Sequence, residues 1–333
     1  MSVSYLVTGA TGHLGYNIVG SLYQKGCRIR ALVLPEDPNA FRLSEMAQIF
    51  YGDITDRTTL DEFFDCPSTD EIQLIHCGAL LTLDYKFNQE VWDVNVIGTK
   101  NILDLASSYH VSRRVFVTGV SAIPLDEEKE VLTETNDYRT DKVVGIYAKT
   151  MAAAGSLVTG ACENGLNASL VLPSVIIGPY DYGQTYSTQL IEEYLNGRVP
   201  LRTDGGCDLV DVRDVAETVI NCLETGEKGE SYILSNQFCK VKELYRILHE
   251  LGGVREVRLS IPGWMMKSSS PVTGVWQKNR KRRSLSTTYS KHMLKANAHF
   301  SHEKADQQLG YRVRDIRETL QDTVEFLRSE NRA

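Results

Sequence analysis

Three glycines lie at a regular spacing near the start of the chain: Gly9, Gly12 and Gly15, within the sequence TGATGHLG. A β-branched run precedes them and apolar residues at helical spacing follow, so they mark a strand–helix junction. Glycines at such a junction permit a tight turn, close backbone approach to a pyrophosphate and close packing of helix on strand. The junction therefore predicts a dinucleotide site with the diphosphate at the helix N-terminus.

The composition excludes several classes of protein. The chain has 333 residues, 42% of them apolar and 24% charged, and a net charge of −7. It is long enough for a large core in about two domains. The mild acidity argues against a nucleic-acid partner, although the basic run at residues 278–283 is a local exception.

The sequence also bears on localisation and metal binding. No apolar run approaches the ~18 to 20 residues of a membrane span, and a signal peptide is not evident. Seven cysteines are widely spaced without a C-x-x-C pair. We therefore expect a cytoplasmic protein with reduced thiols, no membrane partner and no metal site.

Strands and helices alternate through the first half of the chain. Strands are predicted at 3–7, 29–34, 49–51, 73–76, 114–118 and 168–177, and helices at 14–23, 40–48, 57–64, 91–109 and 142–164. A further helix at 211–223 and a strand at 231–234 follow. This order predicts an α/β fold with a doubly wound parallel sheet of the Rossmann type.

The second half of the chain is predicted to be interleaved. Residues 1–179 and 208–238 would form the dinucleotide-binding domain, and 180–207 with 239–333 a smaller C-terminal substrate lobe. Aromatic and thioether side chains of this lobe suit a hydrophobic or aromatic small-molecule substrate, or else belong to its core: Tyr180, Tyr182, Tyr186, Trp264, Met265, Met266 and Trp276.

Further motifs agree in order and spacing with the glycine turn. They are GDITD at 52–56, HCGA at 76–79, VNVIGT at 94–99, the segment 173–179, DVRDVA at 211–216 and LGY at 309–311. Together they resemble the extended short-chain dehydrogenase/reductase family of the NAD-dependent epimerase/dehydratase type, which includes dihydroflavonol reductases and 3β-hydroxysteroid dehydrogenases. The resemblance implies hydride transfer between a nicotinamide and a carbonyl or alcohol substrate.

The resemblance also implies a set of cofactor-binding residues. They are Gly9, Ala10, Thr11, Gly12, His13, Leu14 and Gly15 of the turn, then Asp53, Ile54, Ala79, Asn95, Tyr147, Pro173, Val175 and Ile176. In this set Asp53 would accept a hydrogen bond from the adenine amino group. The His13 side chain would either touch a phosphate or serve packing.

The residues after the second strand bear on the choice of nucleotide. The strand ends in Leu34, where related NADP enzymes often have Arg, and is followed by Glu36 and Asp37. Negative charge there would repel a 2′-phosphate, so NAD is expected. NADP stays open because Arg28 and Arg30 are near in sequence.

The sequence departs from its relatives at the catalytic lysine. Tyr147 matches the family's general acid/base, but the lysine position four residues later is Met151. A phenol has a pKa of about 10 and needs a nearby cation to act as a base at neutrality. Lys149 does not substitute, because residues i and i+2 lie on different helix faces.

The family's catalytic hydroxyl is also displaced. Its position falls on Gly119 or Val120, whereas Thr118 and Ser121 flank it. Either hydroxyl would polarise a carbonyl if the strand end shifts by one residue. Otherwise Thr118 merely ends a strand and Ser121 caps a turn.

Two functions therefore stay open. The first is an oxidoreductase that uses Tyr147 with Ser121 or Thr118. The second is a catalytically impaired homologue that binds a dinucleotide as a sensor or regulatory protein. In either case the apolar faces of helices 91–109 and 142–164 permit a homodimer.

Overall fold

The computed structural model of the chain describes residues 2–126, 130–199, 202–203, 205–254, 256–257, 260–261 and 298–333. The basic run at 278–283 lies outside the described residues. Four of the side chains considered for the substrate pocket also lie outside them: Trp264, Met265, Met266 and Trp276.

Twelve strands and ten α-helices are found in the described part of the chain. The strands are β1 Val3–Thr8, β2 Arg28–Val33, β3 Gln48–Tyr51, β4 Glu71–His76, β5 Arg113–Val117, β6 Ala168–Pro173, β7 Val175–Ile177, β8 Arg202–Thr203, β9 Gly206–Asp211, β10 Ser231–Leu234, β11 Gln237–Lys240 and β12 Ser260–Ile261. The helices are α1 His13–Gln24, α2 Asp61–Phe64, α3 Gln89–Trp92, α4 Thr99–Ser108, α5 Ile146–Glu163, α6 Tyr186–Leu195, α7 Val212–Thr225, α8 Val241–Gly252, α9 Glu303–Leu309 and α10 Ile316–Ser329.

Seven strands form one parallel sheet in the order β10-β6-β5-β4-β1-β2-β3. Successive apolar side chains of its central strands face opposite sides. Leu6 and Leu74 enter one core with α4 and α5, while Val7 and Ile75 enter the other with α1 and α7. The predicted doubly wound Rossmann-type sheet is confirmed, and its strand order reverses direction between β1 and β4.

A smaller unit of three strands in the order β11-β9-β7 packs against α6, α8 and α10. The prediction of one strand over 168–177 is wrong, because Ser174 N bonds to Leu234 O and β7 then pairs with β9 outside the main sheet. A run that is apolar on both faces fits either sheet, so its sequence did not reveal the break.

The ranges predicted for two domains mix elements of both units. β7 and residues 208–211 of β9 lie within the ranges assigned to the dinucleotide domain, but the two strands pair in the smaller sheet. In contrast, α9 packs on α7 and β10 of the large unit, although its range was assigned to the lobe. The assignment of these ranges to a dinucleotide-binding domain and a substrate lobe stays a prediction.

Several predicted helices differ at their ends. Residues 40–48 contain only the 3₁₀ turn Ala40–Leu43. The helix predicted from 142 begins at Ile146, because Gly145 has a φ of 88° and ends the preceding loop. The helix predicted over 91–109 consists of α3, a π-helical stretch Asp93–Gly98 and α4.

Candidate active site

The glycine turn brings the loops after β1 and β4 into close contact. Gly9 has a φ of 66°, and a Cβ there would lie 2.7 Å from the Gly78 Cα. A Cβ on Gly15 would lie 2.1 Å from the Gly9 carbonyl oxygen. Only glycine fits these two positions, because the neighbouring atoms are backbone.

The N-terminus of α1 emerges from this turn. Gly12 is its exposed N-cap, and in the described part of the chain no side chain caps the helix. The first-turn amides of residues 13–15 have no carbonyl partner within the helix. Together with the helix dipole they form a site for an anion such as a phosphate.

The other predicted residues of the turn are placed differently. Ala10 is completely buried and Leu14 is 8% exposed, so both side chains belong to the core behind the turn. The Thr11 hydroxyl donates to Asp37 Oδ2 at 2.5 Å. His13 Nε2 lies 3.1 Å from the Pro179 carbonyl oxygen, so this ring nitrogen is engaged away from a phosphate.

The segment after β2 places a carboxylate beside the turn. Asp37 accepts from Thr11 and, through Oδ1, from the Asn39 amide at 2.8 Å. Arg28 is paired with Asp70 at 2.7 Å at the start of β2, and Arg30 is buried and donates to the Phe63 carbonyl. Neither arginine lies at the strand's carboxyl end.

Asp53 and Ile54 form the rim next to β3. Asp53 Oδ1 accepts from the amide and the hydroxyl of Thr55, both at 2.8 Å, which leaves Oδ2 without a hydrogen-bond partner among the described residues. Ile54 packs on Gly98 so closely that a Cβ there would lie 2.7 Å from its Cδ1. The rim thus offers one carboxylate oxygen and one apolar side chain, which suit the predicted contacts with an adenine ring.

The loop after β4 is held by Asn95. The Asn95 side chain accepts from Leu80 N at 2.7 Å, donates to Leu80 O at 3.0 Å and to Thr150 Oγ1 at 2.9 Å. It is 1% exposed. The Asn95 side chain therefore ties the loop that carries the exposed Ala79 to α5. A contact of Asn95 with the cofactor stays a prediction.

His76, at the end of β4, is buried and fully bonded. Its Nδ1 lies 2.7 Å from Thr8 Oγ1 and its Nε2 lies 3.1 Å from Thr99 Oγ1. Burial lowers the pKa of His76 to about 4, so the ring is neutral at pH 7. It links β1, β4 and α4 structurally.

In the described part of the chain no charged side chain shifts the pKa of Tyr147, the residue predicted as the general acid/base. Tyr147 is half-buried in the first turn of α5, and burial raises its pKa to about 12. Met151 lies one turn later and is 2% exposed, while Lys149 is exposed on another face. As predicted, Lys149 does not replace the missing amine.

Both candidate hydroxyls lie near the end of β5. The Oγ atoms of Thr118 and Ser121 are buried and have no hydrogen-bond partner among the described residues. Thr118 N extends the ladder to Val171 O, and its side chain borders a small cavity with Met151. Ser121 lies in the 3₁₀ turn that packs on α5. Two buried hydroxyls thus flank Gly119.

The segment after β6 passes over the edge of the sheet. Pro173 is the last residue of β6, and Val175 and Ile176 are half-buried in β7. Beyond them, Tyr180 and Tyr182 pack with Tyr16 and Phe326, with the Tyr16–Tyr182 centroids 5.0 Å apart. These contacts are between α1 and α10, so the two tyrosines belong to a packed aromatic cluster there.

The described residues contain neither a candidate membrane span nor a candidate metal site. None of the helices in the described ranges combines the length and apolarity needed to cross a bilayer. The same ranges hold no group of three or more His, Cys, Asp or Glu side chains arranged for a metal ion.

The model of the NAD dependent epimerase/dehydratase family matches residues 5–235. The chain belongs to this family. The resemblance predicted from the motifs is thereby confirmed, and NAD is the family's cofactor.

Several proteins similar in sequence to this chain are named as oxidoreductases. The chain is 26% identical to the putative dihydroflavonol 4-reductase of Synechocystis sp., with 99% of this chain and 96% of that protein covered. It is 28% identical to sterol demethylase protein B of Methylococcus capsulatus, covering 79% and 78%. It is 29% identical to a 3β-hydroxysteroid dehydrogenase/isomerase of Mycobacterium tuberculosis, covering 58% and 52%.

Solved structures agree with the family assignment. The crystal structure of gox2253 has a TM-score of 0.83 and 28% identity, covering 100% of this chain and 99% of that one. UDP-glucose 4-epimerase of Thermotoga maritima has a TM-score of 0.76 at 19% identity, covering 99% and 100%, which shows a shared fold.

Some residues of the site were missed at the level of sequence. Leu80 directly follows the HCGA motif, and Thr150 follows Tyr147 by three residues. Asp37 was noted only as a nearby charge. Its position three residues beyond the apolar part of β2 was the available signal, because ligands of such sheets bind beyond the strands' carboxyl ends.

Proposed function

We propose that this family member is an NAD-dependent oxidoreductase that transfers hydride between the nicotinamide and a carbonyl or alcohol of a small apolar molecule. The observation that carries the proposal is the contact of Gly9 with Gly78, which places the uncapped start of α1 at the reversal point of the sheet. Ligands of doubly wound sheets bind at that point.

The residues present fit the dinucleotide. The backbone amides of residues 13–15 would hold the diphosphate, and the cradle has no room for a Cβ at Gly9 or Gly15. Asp53 Oδ2 and Ile54 would hold the adenine. When bound, NAD supplies the hydride acceptor, or in its reduced form the hydride donor.

The charges near β2 favour NAD over NADP. Asp37 contacts the glycine turn through Thr11, and Glu36 next to it is exposed. A 2′-phosphate would meet these carboxylates, while Arg28 and Arg30 are engaged elsewhere. A ribose 2′-hydroxyl would instead find an acceptor.

Tyr147 suits proton donation better than proton removal. With a pKa of about 12, its phenol holds its proton at neutral pH. In carbonyl reduction it would donate that proton to the substrate oxygen as hydride adds to the carbon. Ser121 or Thr118, whose hydroxyls lack partners among the described residues, would donate a hydrogen bond to the same oxygen.

The loops bordering the sheet edge favour an apolar substrate. Residues 78–85 after β4 and 118–125 after β5 contain no Lys, Arg or His. Leu81 and Leu125 are exposed there, at 39% and 38%. A substrate with a diphosphate would require cationic donors, whereas an apolar or aromatic carbonyl compound fits. The names of relatives that act as dihydroflavonol reductases and 3β-hydroxysteroid dehydrogenases support the same class.

One observation favours a second function. Met151 is packed in the core where a relative's lysine would supply charge, and burial alone shifts the pKa of Tyr147. A catalytically impaired homologue that binds NAD as a sensor or regulatory protein would retain the cradle and lose this charge.

Titration calorimetry with NAD⁺, NADH, NADP⁺ and NADPH tests the shared part of both functions. Hydride transfer is then monitored across a panel of apolar ketones, aldehydes and alcohols. Turnover supports the oxidoreductase, and tight binding without turnover supports the second function. Failure of all four nucleotides to bind would overturn both.

A further inference from the structure

His13 connects the phosphate cradle to a distant part of the chain. It is the first residue of α1 and 6% exposed, and its Nε2 lies 3.1 Å from Pro179 O. A carbonyl oxygen only accepts, so Nε2 carries the hydrogen. The other ring nitrogen, Nδ1, is buried without a hydrogen-bond partner among the described residues.

Two more side chains of α1 hold the same segment. Asn17 Nδ2 donates to Pro179 O at 3.4 Å and to His13 O at 2.9 Å. Tyr16 lies edge-on to Tyr182 with ring centroids 5.0 Å apart. Residues 13, 16 and 17 share one helix face, so the first turns of α1 hold residues 179–182 by hydrogen bonds and ring contacts.

The segment that α1 holds has unusual backbone geometry at residues 178 and 180. Gly178 has a φ of 143°, and a Cβ there would lie 2.6 Å from Val212 Cγ1. Tyr180 has a φ of 65°, a conformation that bulky side chains rarely adopt. Such a residue stays in place only where its surroundings enforce it. The segment is therefore suited to change conformation when its contacts change.

Asp181 ties the segment to the smaller unit. It is completely buried, and Oδ2 accepts from Thr185 N at 2.8 Å and Thr185 Oγ1 at 2.6 Å. Its carbonyl accepts from Arg332, which also pairs with Glu192 of α6 at 3.2 Å. Burial acts to raise the pKa of Asp181, but His13 and the bonds from Thr185 outweigh it and the pKa is lowered. A charged carboxylate thus lies near the His13 ring.

We propose that His13 is a positioning residue that couples dinucleotide binding at the start of α1 to the conformation of residues 179–185. This inference rests on the proposed binding of NAD. A diphosphate on the first-turn amides fixes the backbone of His13 and thereby the imidazole that holds Pro179. Because coupling is reciprocal, the bond from His13 to Pro179 also strengthens nucleotide binding. The smaller unit then takes its substrate-binding conformation only after the cofactor binds.

Hydrogen exchange of residues 179–185, with and without saturating NAD⁺, tests the coupling in the full chain. Three proteins are compared: wild type, His13→Leu and His13→Gln. Leucine fills similar space without a donor, whereas glutamine keeps an N–H that reaches Pro179 O. We expect NAD⁺ to slow exchange in the wild type and in His13→Gln. In His13→Leu we expect this slowing to disappear and the affinity for NAD⁺ to fall about fivefold or more.

The outcomes separate the inference from the function on which it rests. If His13→Leu binds NAD⁺ and shows the wild-type slowing, the inference is wrong while the proposed function stands. Loss of slowing in both variants would show that only the ring's packing matters, and it would also overturn the inference. If the wild type binds none of the four nucleotides, the proposed function itself fails. A purely structural role would lower the melting temperature equally with and without NAD⁺, whereas coupling reduces the NAD⁺-induced increase.

Discussion

Met151 lies one helical turn beyond Tyr147 on α5 and is 2% exposed, while the tyrosine is half-buried. The position that faces the phenol across one turn is thus a thioether in the core, which carries no charge. With burial as the sole influence, the pKa of Tyr147 lies at about 12. This relationship determines how the protein's activity should depend on pH.

Alcohol oxidation by NAD⁺ should become faster with rising pH without reaching a plateau below about pH 10. The base is the ionised phenol, and below a pKa of about 12 its fraction rises tenfold with each pH unit. Carbonyl reduction uses the protonated phenol and should lack this slope. Initial rates give kcat/KM for one substrate pair in both directions as a function of pH and check this prediction. Tyr147→Phe is the control. A plateau near neutrality in the wild type would contradict the assigned pKa.

Met151→Lys should shift that oxidation profile toward lower pH. An ammonium next to the phenol stabilises its ionised form, and a pKa shift of two units gives about a hundredfold more base at neutrality. Burying the charge should lower the unfolding free energy by about 2 kcal/mol or more. Kinetics and thermal melting measure the two effects.

Met151→Gln is the matched control for that substitution, because it has similar length and no charge. An equal gain in the glutamine variant would show that charge is not the cause. If Met151→Lys transfers hydride across the panel while the wild type never does, the oxidoreductase function of the natural chain is wrong and the binding function remains.

The sequence predicted the parts of the fold that depend on neighbouring residues. The cradle at Gly9 to Gly15 is continuous in sequence, so its glycines, the preceding strand and the following helix were sufficient to place it. The strands of the large sheet were predicted for the same reason, as short apolar runs between helical patterns. The break after Pro173 was not, because Val175–Ile177 is as apolar as the strand before it.

Features that depend on distant contacts were beyond sequence reasoning. The bond from His13 to Pro179 spans 166 residues, and that from Thr11 to Asp37 spans 26. The roles of Thr118 and Ser121 depend on the direction of each side chain around Gly119, whose φ is 151°. A shift of one residue reverses such directions, so composition and spacing left both open.

Gly15→Ala should abolish or strongly weaken nucleotide binding. Its Cβ would lie 2.1 Å from the Gly9 carbonyl oxygen, so the turn or the helix must move. Gly20→Ala is a control on the same helix, since its Cβ meets nothing within 4 Å. This control should keep the wild-type affinity and gain up to about 1 kcal/mol of stability from helix propensity.

Calorimetry and thermal melting of the two alanine variants give the comparison. Should Gly15→Ala fail to fold, Gly12→Ala provides a milder test, because its Cβ would lie 3.2 Å from the same oxygen. Wild-type affinity in Gly15→Ala and Gly12→Ala would show that the glycine turn does not hold the nucleotide.

Asp37→Asn should shift nucleotide preference toward NADP. The Asp37 carboxylate accepts from the Thr11 hydroxyl and the Asn39 amide, and asparagine preserves an acceptor for the amide while removing the charge. A 2′-phosphate then loses a like-charge neighbour, and relief of about 1.4 kcal/mol corresponds to a tenfold gain in NADP affinity.

Glu36→Gln removes the same charge from an exposed side chain one residue earlier. Since Glu36 makes no hydrogen bond to the glycine turn among the described residues, its variant should change the ratio of NADP to NAD affinity much less. Equal changes in the two variants would indicate a general charge effect, and an unchanged ratio in Asp37→Asn would show that this carboxylate does not select the nucleotide.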